Sequence, residues 1–214
     1  MIAFLLSVTA IIAYVMGSIN TTILASHFVF HSDLFAYSRD NVGITRFLKR
    51  FGKKGAIILI GMEALKTVIP VIIGGLLLGI RDHADVGRAF ALFCVLMGTR
   101  FPIMFKFKGE VSFIAFAAGM LTINFGLGFV TLAVAAAIYF ISRYVSLTAI
   151  GSAIFAYLFS IVAIDTAWVH KLILCCAVVV IIEYRRNIVS LIKGTEPKFI
   201  YKKDVSYMFD EDYQ

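Results

Sequence analysis

Three stretches of this 214-residue chain set cations among glycine and asparagine closely enough to hold a phosphorylated ligand: Asn41 to Lys54, Gly98 to Gly109, and Asn187 to Glu196. Lysine and arginine supply charge, and glycine lets successive backbone N–H groups turn toward one anion. In the first stretch Asn41, Gly43 and Thr45 accompany Arg46, Lys49, Arg50, Lys53 and Lys54, with Arg39 just ahead. The second carries Arg100, Lys106 and Lys108 before Gly109, and the third carries Asn187, Lys193, Gly194 and Glu196. Cations and backbone amides converging at a membrane surface are what a phosphorylated lipid precursor needs.

The elements that must position these stretches are membrane helices. The chain is 61% hydrophobic and 15% charged, with mean hydropathy +0.93, which points to a polytopic membrane protein. Its formal net charge of +7 reads as positive-inside topology and contact with anionic headgroups, and nucleic acid is not expected as a partner. Cys94, Cys175 and Cys176 lie in apolar runs and show no disulfide or metal spacing. The N-terminal MIAFLLSVTAII lacks a basic leader and reads as a first span, not a cleaved signal.

The expected spans begin with Ile2 to about Ser26 and Gly55 to Ile80. Ala89 to Met97 follows as a short helix shielded by its neighbours, and Phe113 to Ile141 as two short spans turning at Asn124, Gly126 and Gly128. Val145 to Ile164 is the sixth span, and Leu172 to Ile182 with its preceding residues the seventh. Phe101 should end a helix because Pro102 follows it. Glu63 and Lys66, three apart within the second span, can pair on one helical face. Placing the loop after the first helix in the cytoplasm puts sixteen lysines and arginines inside and three outside (Arg81, Arg88 and Lys171), with Lys66 intramembrane. That asymmetry predicts an outside N-terminus and a cytoplasmic C-terminus. The expected fold is therefore an all-α membrane protein of about seven transmembrane helices, several of them short. Residues 1–197 form one polytopic domain, and 198–214 a cytoplasmic tail. Phe199, Ile200, Tyr201, Tyr207, Met208 and Phe209 make that tail apolar enough to lie on the membrane or on a protein partner.

The order GSIN, NVGIT then FGKKGA, EALK, GTRFPIMFKFKG, RYVSL and NIVSLIKGTEPK resembles the bacterial membrane acyltransferases called PlsY over nearly the whole chain. That family moves a fatty acyl group from acyl phosphate to glycerol 3-phosphate in phospholipid synthesis, so the resemblance implies a multi-pass protein of the bacterial inner membrane. It departs from the family pattern at named positions. In the first loop, G-S-G-N-x-G-A-T-N, Arg39 stands at the serine and Arg46 at the second asparagine. Thr99 replaces the histidine of G-H-x-F-P, and Glu110, Val111 and Ser112 continue where F-K-G-G-K-G has its second glycine, lysine and last glycine. Tyr184 and Ser190 replace the histidine and final arginine of H-R-x-N-I-x-R. In D-x-x-K-G, Glu63 and Thr67 stand for the aspartate and glycine, with Lys66 kept.

The resemblance and the charge pattern together nominate substrate and phosphate contacts. From the first loop they are Arg39, Asn41, Gly43, Thr45, Arg46 and Lys49. Lys66, Lys108, Gly109, Ser146, Asn187 and Glu196 complete the set, and no catalytic residue is assigned. The expected ligands are membrane lipid and acyl phosphate or a glycerol 3-phosphate-like molecule, with no cofactor and no metal. His27, His31 and Asp33 have ligand-like spacing, but histidines at a helix end are more often interfacial. Two readings follow: an acyltransferase in which Arg39, Arg46 and Lys49 replace lost anion contacts, and a non-catalytic paralogue that binds phosphorylated lipid or acyl phosphate as regulator or scaffold. A transporter would show an internal repeat, which is not detectable here.

Overall fold

The computed structural model describes residues 1–28, 44–103, 107, 109, 111–185 and 187–188, with backbone alone at 26, 28 and 44–51. Among the described residues the chain forms eight α-helices and no strand. They are α1 (Ile2–Ser18), α2 (Thr21–Phe28), α3 (Ile44–Gly79), α4 (Ala84–Arg100), α5 (Phe113–Ile123), α6 (Phe125–Ser142), α7 (Val145–Ala163) and α8 (Ala167–Glu183). His31, Asp33 and the 198–214 tail lie outside the described residues.

The first apolar run is not one helix to Ser26, as its length suggested. It breaks at Ile19, whose backbone is extended, because the Asn20 side chain accepts from the Thr22 and Ile23 amides at 3.1 and 3.2 Å. An asparagine that caps the following turn competes with helix continuation. In α3 the backbone kinks at Gly52 (φ 63°), leaving Gly52–Gly79 as a membrane-length segment of 28 residues. Phe125–Ser142 and Val145–Ala163 are likewise long and apolar enough to cross a bilayer, while Ile2–Ser18 and Phe113–Ile123 are apolar but shorter.

The expected third span, α4, is longer than the apolar stretch Ala89 to Met97 suggested. An Asp85–Arg88 pair at 3.1 Å supports its polar first turn, and Arg88 also reaches the Ile123 carbonyl at 3.4 Å. Its end at Arg100, before Phe101 and Pro102, is where proline chemistry placed it. The turn in the Phe113 to Ile141 run falls at Asn124, whose side chain caps α6 by accepting from Leu127 N at 3.0 Å. Gly126 and Gly128, expected in the turn, belong to the first turn of α6.

α4 is the hub, packed by α1, α3, α5 and α8. Its inward residues are mostly small or apolar, among them Ala89, Ala91, Leu92, Val95 and Leu96, each fully buried. Large apolar side chains such as Ile57, Leu76, Phe125, Phe140 and Val162 face outward, the reverse of a soluble core and the arrangement that lipid favours. α1 and α4 meet backbone to backbone. A Cβ on Gly98 would lie 2.3 Å from the Tyr14 carbonyl, and one on Gly17 2.3 Å from that of Val95. Several buried hydroxyls are satisfied within their own helices, as in Thr9 to Leu5 O at 2.8 Å and Thr131 to Leu127 O at 2.7 Å.

The charged pair expected in the second span forms. Lys66 Nζ lies 3.0 Å from Glu63 Oε1, with both side chains under a tenth exposed. Thr21 donates its hydroxyl to Glu63, and Lys66 donates to the Ile19 carbonyl at 3.2 Å. The pair thus satisfies the groups that the α1–α2 break frees. Removing one partner of a buried pair strands the other, at a cost of about 3–5 kcal/mol, whereas replacing both by apolar residues costs far less. Lys66→Met should accordingly destabilise the detergent-solubilised protein by about that amount, and Glu63→Leu/Lys66→Met should recover only part of the loss, because the Ile19 carbonyl and the Thr21 hydroxyl still lose their partners. Denaturation midpoints of the two single variants and the double variant check this.

Candidate functional site

The site is built where α4 ends. Phe101 caps the helix through its amide to Met97 O at 2.9 Å, and Tyr14 of α1 donates to the Phe101 carbonyl at 2.6 Å. The chain then folds back on itself. Phe107, at φ 60°, donates its amide to Pro102 O at 3.0 Å, and Gly109 donates to Arg100 O at 3.1 Å. Arg100 answers with its guanidinium, Nη1 donating to the Gly109 carbonyl at 2.8 Å.

Gly109 has a packing reason. A Cβ there would sit 2.0 Å from the Thr99 carbonyl oxygen and 2.6 Å from Pro102 Cδ, so any side chain would lift the loop off the helix end. From Gly109 the chain turns into the bundle. Val111 is 1% exposed and belongs to the core, and Ser112 caps α5 by accepting from Ile114 N at 3.2 Å. The eleven residues of α5 are about 16 Å long, roughly half the thickness of a bilayer core.

The last motif is brought to the same place. Arg100 Nε lies 3.0 Å from Glu183 Oε2 at the end of α8. Helical geometry continues past Tyr184, with Ile188 N bonded to its carbonyl at 3.0 Å, and Asn187 sits exposed on that turn. Ser146, 1% exposed, starts α7, and α7 packs directly on α8; a connection of three residues makes the two antiparallel, so Ser146 lies at the Asn187 end. Gly109, Asn187 and Ser146 therefore share one end of the bundle.

Lys66 is placed differently from a surface contact, inside the protein on Glu63 and the Ile19 carbonyl. It reaches the loop through backbone: Ile19 follows Gly17, whose carbonyl accepts from Thr99 Oγ1 at 3.3 Å, and the Thr99 carbonyl underlies Gly109. Thr45, Arg46 and Lys49 lie on the first turns of α3, before the Gly52 kink. Arg39, Asn41, Gly43, Lys108 and Glu196 lie outside the described residues. Sequence reasoning passed over Glu183, Tyr14 and Thr21. Glu183 did leave a signal, as the one carboxylate of α8, sitting at the end of a long apolar run.

The glycerol-3-phosphate acyltransferase family model matches residues 7–194. A glycerol-3-phosphate acyltransferase of Cupriavidus metallidurans is 34% identical over 197 residues, covering 92% of this chain and 97% of that protein. One from Thermoanaerobacter sp. is 29% identical with the same coverage. The crystal structure of PlsY, an integral membrane glycerol 3-phosphate acyltransferase, in its glycerol 3-phosphate form superimposes with a TM-score of 0.76 at 25% identity, covering 91% of this chain and 96% of that one. The lysophosphatidic acid form gives 0.77 at 24% identity, over 91% and 95%.

Gly109→Ala should cost about 1–3 kcal/mol, because the new methyl meets a backbone oxygen that no rotamer change can move. The expected result is a lowered melting temperature with faster amide exchange confined to the segment from Phe107 to Phe113.

Proposed function

The chain belongs to the glycerol-3-phosphate acyltransferase family, and we propose that it acts in phospholipid synthesis on an acyl phosphate and glycerol 3-phosphate, or a close phosphorylated relative, with attenuated transfer. It is a multi-pass protein of the bacterial inner membrane. The observation that carries the reading is the meeting of the central loop, folded back at Gly109, with the Asn187-bearing end of α8. In this reading Arg39, Asn41, Gly43, Thr45, Arg46, Lys49, Lys108, Gly109, Ser146, Asn187 and Glu196 surround the phosphorylated substrates. Lys66 supports the loop from within.

Attenuation follows from what fills the positions of missing polar groups. Thr99 stands where the family pattern has histidine, and its hydroxyl is spent on Val95 O at 2.9 Å and on Gly17 O. Val111 stands where the pattern has lysine, and it is buried in the core. Tyr184, at another histidine position, packs against the same core. One lost donor near developing charge costs about 3 kcal/mol, roughly a hundredfold in rate. These inward-turned replacements also favour a second reading, a non-catalytic member that binds phosphorylated lipid as regulator or scaffold.

We extend the proposal to topology: seven spans, N-terminus outside and C-terminus cytoplasmic. It is supported by the sixteen-to-three cation asymmetry. Residues 1–197 are then the membrane domain, and the 198–214 tail lies on the cytoplasmic membrane surface or on a protein partner.

Two measurements check these readings. Transfer of radiolabelled glycerol 3-phosphate from acyl phosphate should run about a hundredfold or more below a relative with intact loops, and Lys49→Ala should abolish the remainder. Turnover matching the relative would show that the arginines had rebuilt a full site, and binding without any turnover would establish the second reading. For topology, single thiols are placed in a background whose three native cysteines are serine. A membrane-impermeant reagent added outside should label Asp85→Cys and spare Lys53→Cys, and the reverse pattern would overturn the orientation.

A further inference from the structure

Arg100 and Glu183 are not among the nominated substrate contacts, yet they join the Gly109 loop to the Asn187-bearing end of α8. Arg100 ends α4 and Glu183 ends α8, and their side chains are 28% and 13% exposed, so the pair is largely shielded from solvent. The guanidinium works in two directions at once, Nε toward Glu183 at 3.0 Å and Nη1 toward the Gly109 carbonyl at 2.8 Å. A planar fork fixes the angle between two such partners, whereas an ammonium group does not.

The α8 side of the clamp leads straight to Asn187. The buried residues Val169, Ile173, Cys176 and Val180 form a stripe at steps of three and four. The same stepping continues through Glu183 to Asn187, and the bond from Ile188 N to Tyr184 O keeps that turn helical. Asn187 therefore lies one turn beyond Glu183 on the face that α8 presents to α4.

We propose that Arg100 and Glu183 are positioning residues that set the spacing between the Gly109 loop and Asn187, and so the width of the site for a phosphorylated glycerol. The inference rests on the acceptor assigned under the proposed function. Neither residue touches substrate in this role. Arg100 is a cation committed to protein, and the charge that meets the phosphate comes from other residues.

The test uses the full-length protein in lipid nanodiscs, with equilibrium dialysis of radiolabelled glycerol 3-phosphate and hydrogen exchange read in parallel. Glu183→Gln keeps the shape but removes the charge, and should weaken binding about tenfold or more. Glu183→Asp keeps the charge and should stay within about threefold of wild type. Arg100→Lys keeps its charge but cannot hold both partners, and should also weaken binding by about threefold or more. Exchange should quicken from Phe107 to Phe113 and around Asn187, with the rest of the bundle unchanged. Wild-type binding and exchange in folded Glu183→Gln would overturn the proposal, and if that variant does not fold, the same result in Arg100→Lys overturns it. A wild-type protein that binds no glycerol 3-phosphate would overturn the assigned acceptor and, with it, the site-width role. Exchange in Glu183→Gln would then separate the failures, since local quickening leaves the Arg100–Glu183 clamp standing without that ligand.

Discussion

The ion pair between Glu63 and Lys66 sits where neither lipid nor water can solvate it, and much of the bundle depends on its being satisfied. A lone charge at that depth costs several kcal/mol. The pair meets the requirement by borrowing groups from a helix break: Thr21 donates to the carboxylate and the Ile19 carbonyl accepts from the ammonium. The dependence is mutual. Without the break, Ile19 O would be bonded within a continuous helix, and without the pair the break would leave backbone polar groups unpaired inside the membrane. Pair and break together fix how α1, α2 and α3 meet.

From that corner, order passes to the site through backbone. Gly17 and Gly98 let α1 and α4 approach until main-chain atoms touch, and contacts so close admit little sliding. The end of α4 is thereby a fixed platform. Tyr14 holds the Phe101 carbonyl, and the Thr99 carbonyl forms the surface on which Gly109 lies. The described residues of the central loop, Phe101, Phe107 and Gly109, are thus each held by protein contacts.

The chemistry of this end is a division of labour among cations. Arg100 is occupied by Glu183 and the loop, and Lys66 by Glu63 and Ile19. Both of these described cations are thus committed to protein groups. Thr99 spends its hydroxyl on helix carbonyls and Val111 lies in the core, so both serve packing at this end.

Composition and cation asymmetry were enough to establish that this is a helical membrane protein, and the order of short motifs was enough to indicate its family. Both survive without coordinates, because lipid solvation acts on averages over some twenty residues and motif order is carried along the chain. The pairing of Glu63 with Lys66 was legible for the same reason, being a matter of helical spacing. The end of α4 at Phe101 was legible because proline acts on its neighbour. Tertiary structure alone decided the break after Ser18, the length of α4 and the union of Arg100 with Glu183. An asparagine caps or continues a helix according to what can receive the freed carbonyl, and here the receiver is a lysine 47 residues away in sequence. Arg100 and Glu183 lie farther apart still along the chain, and nothing local to either names the other; they meet because α4 and α8 pack side by side.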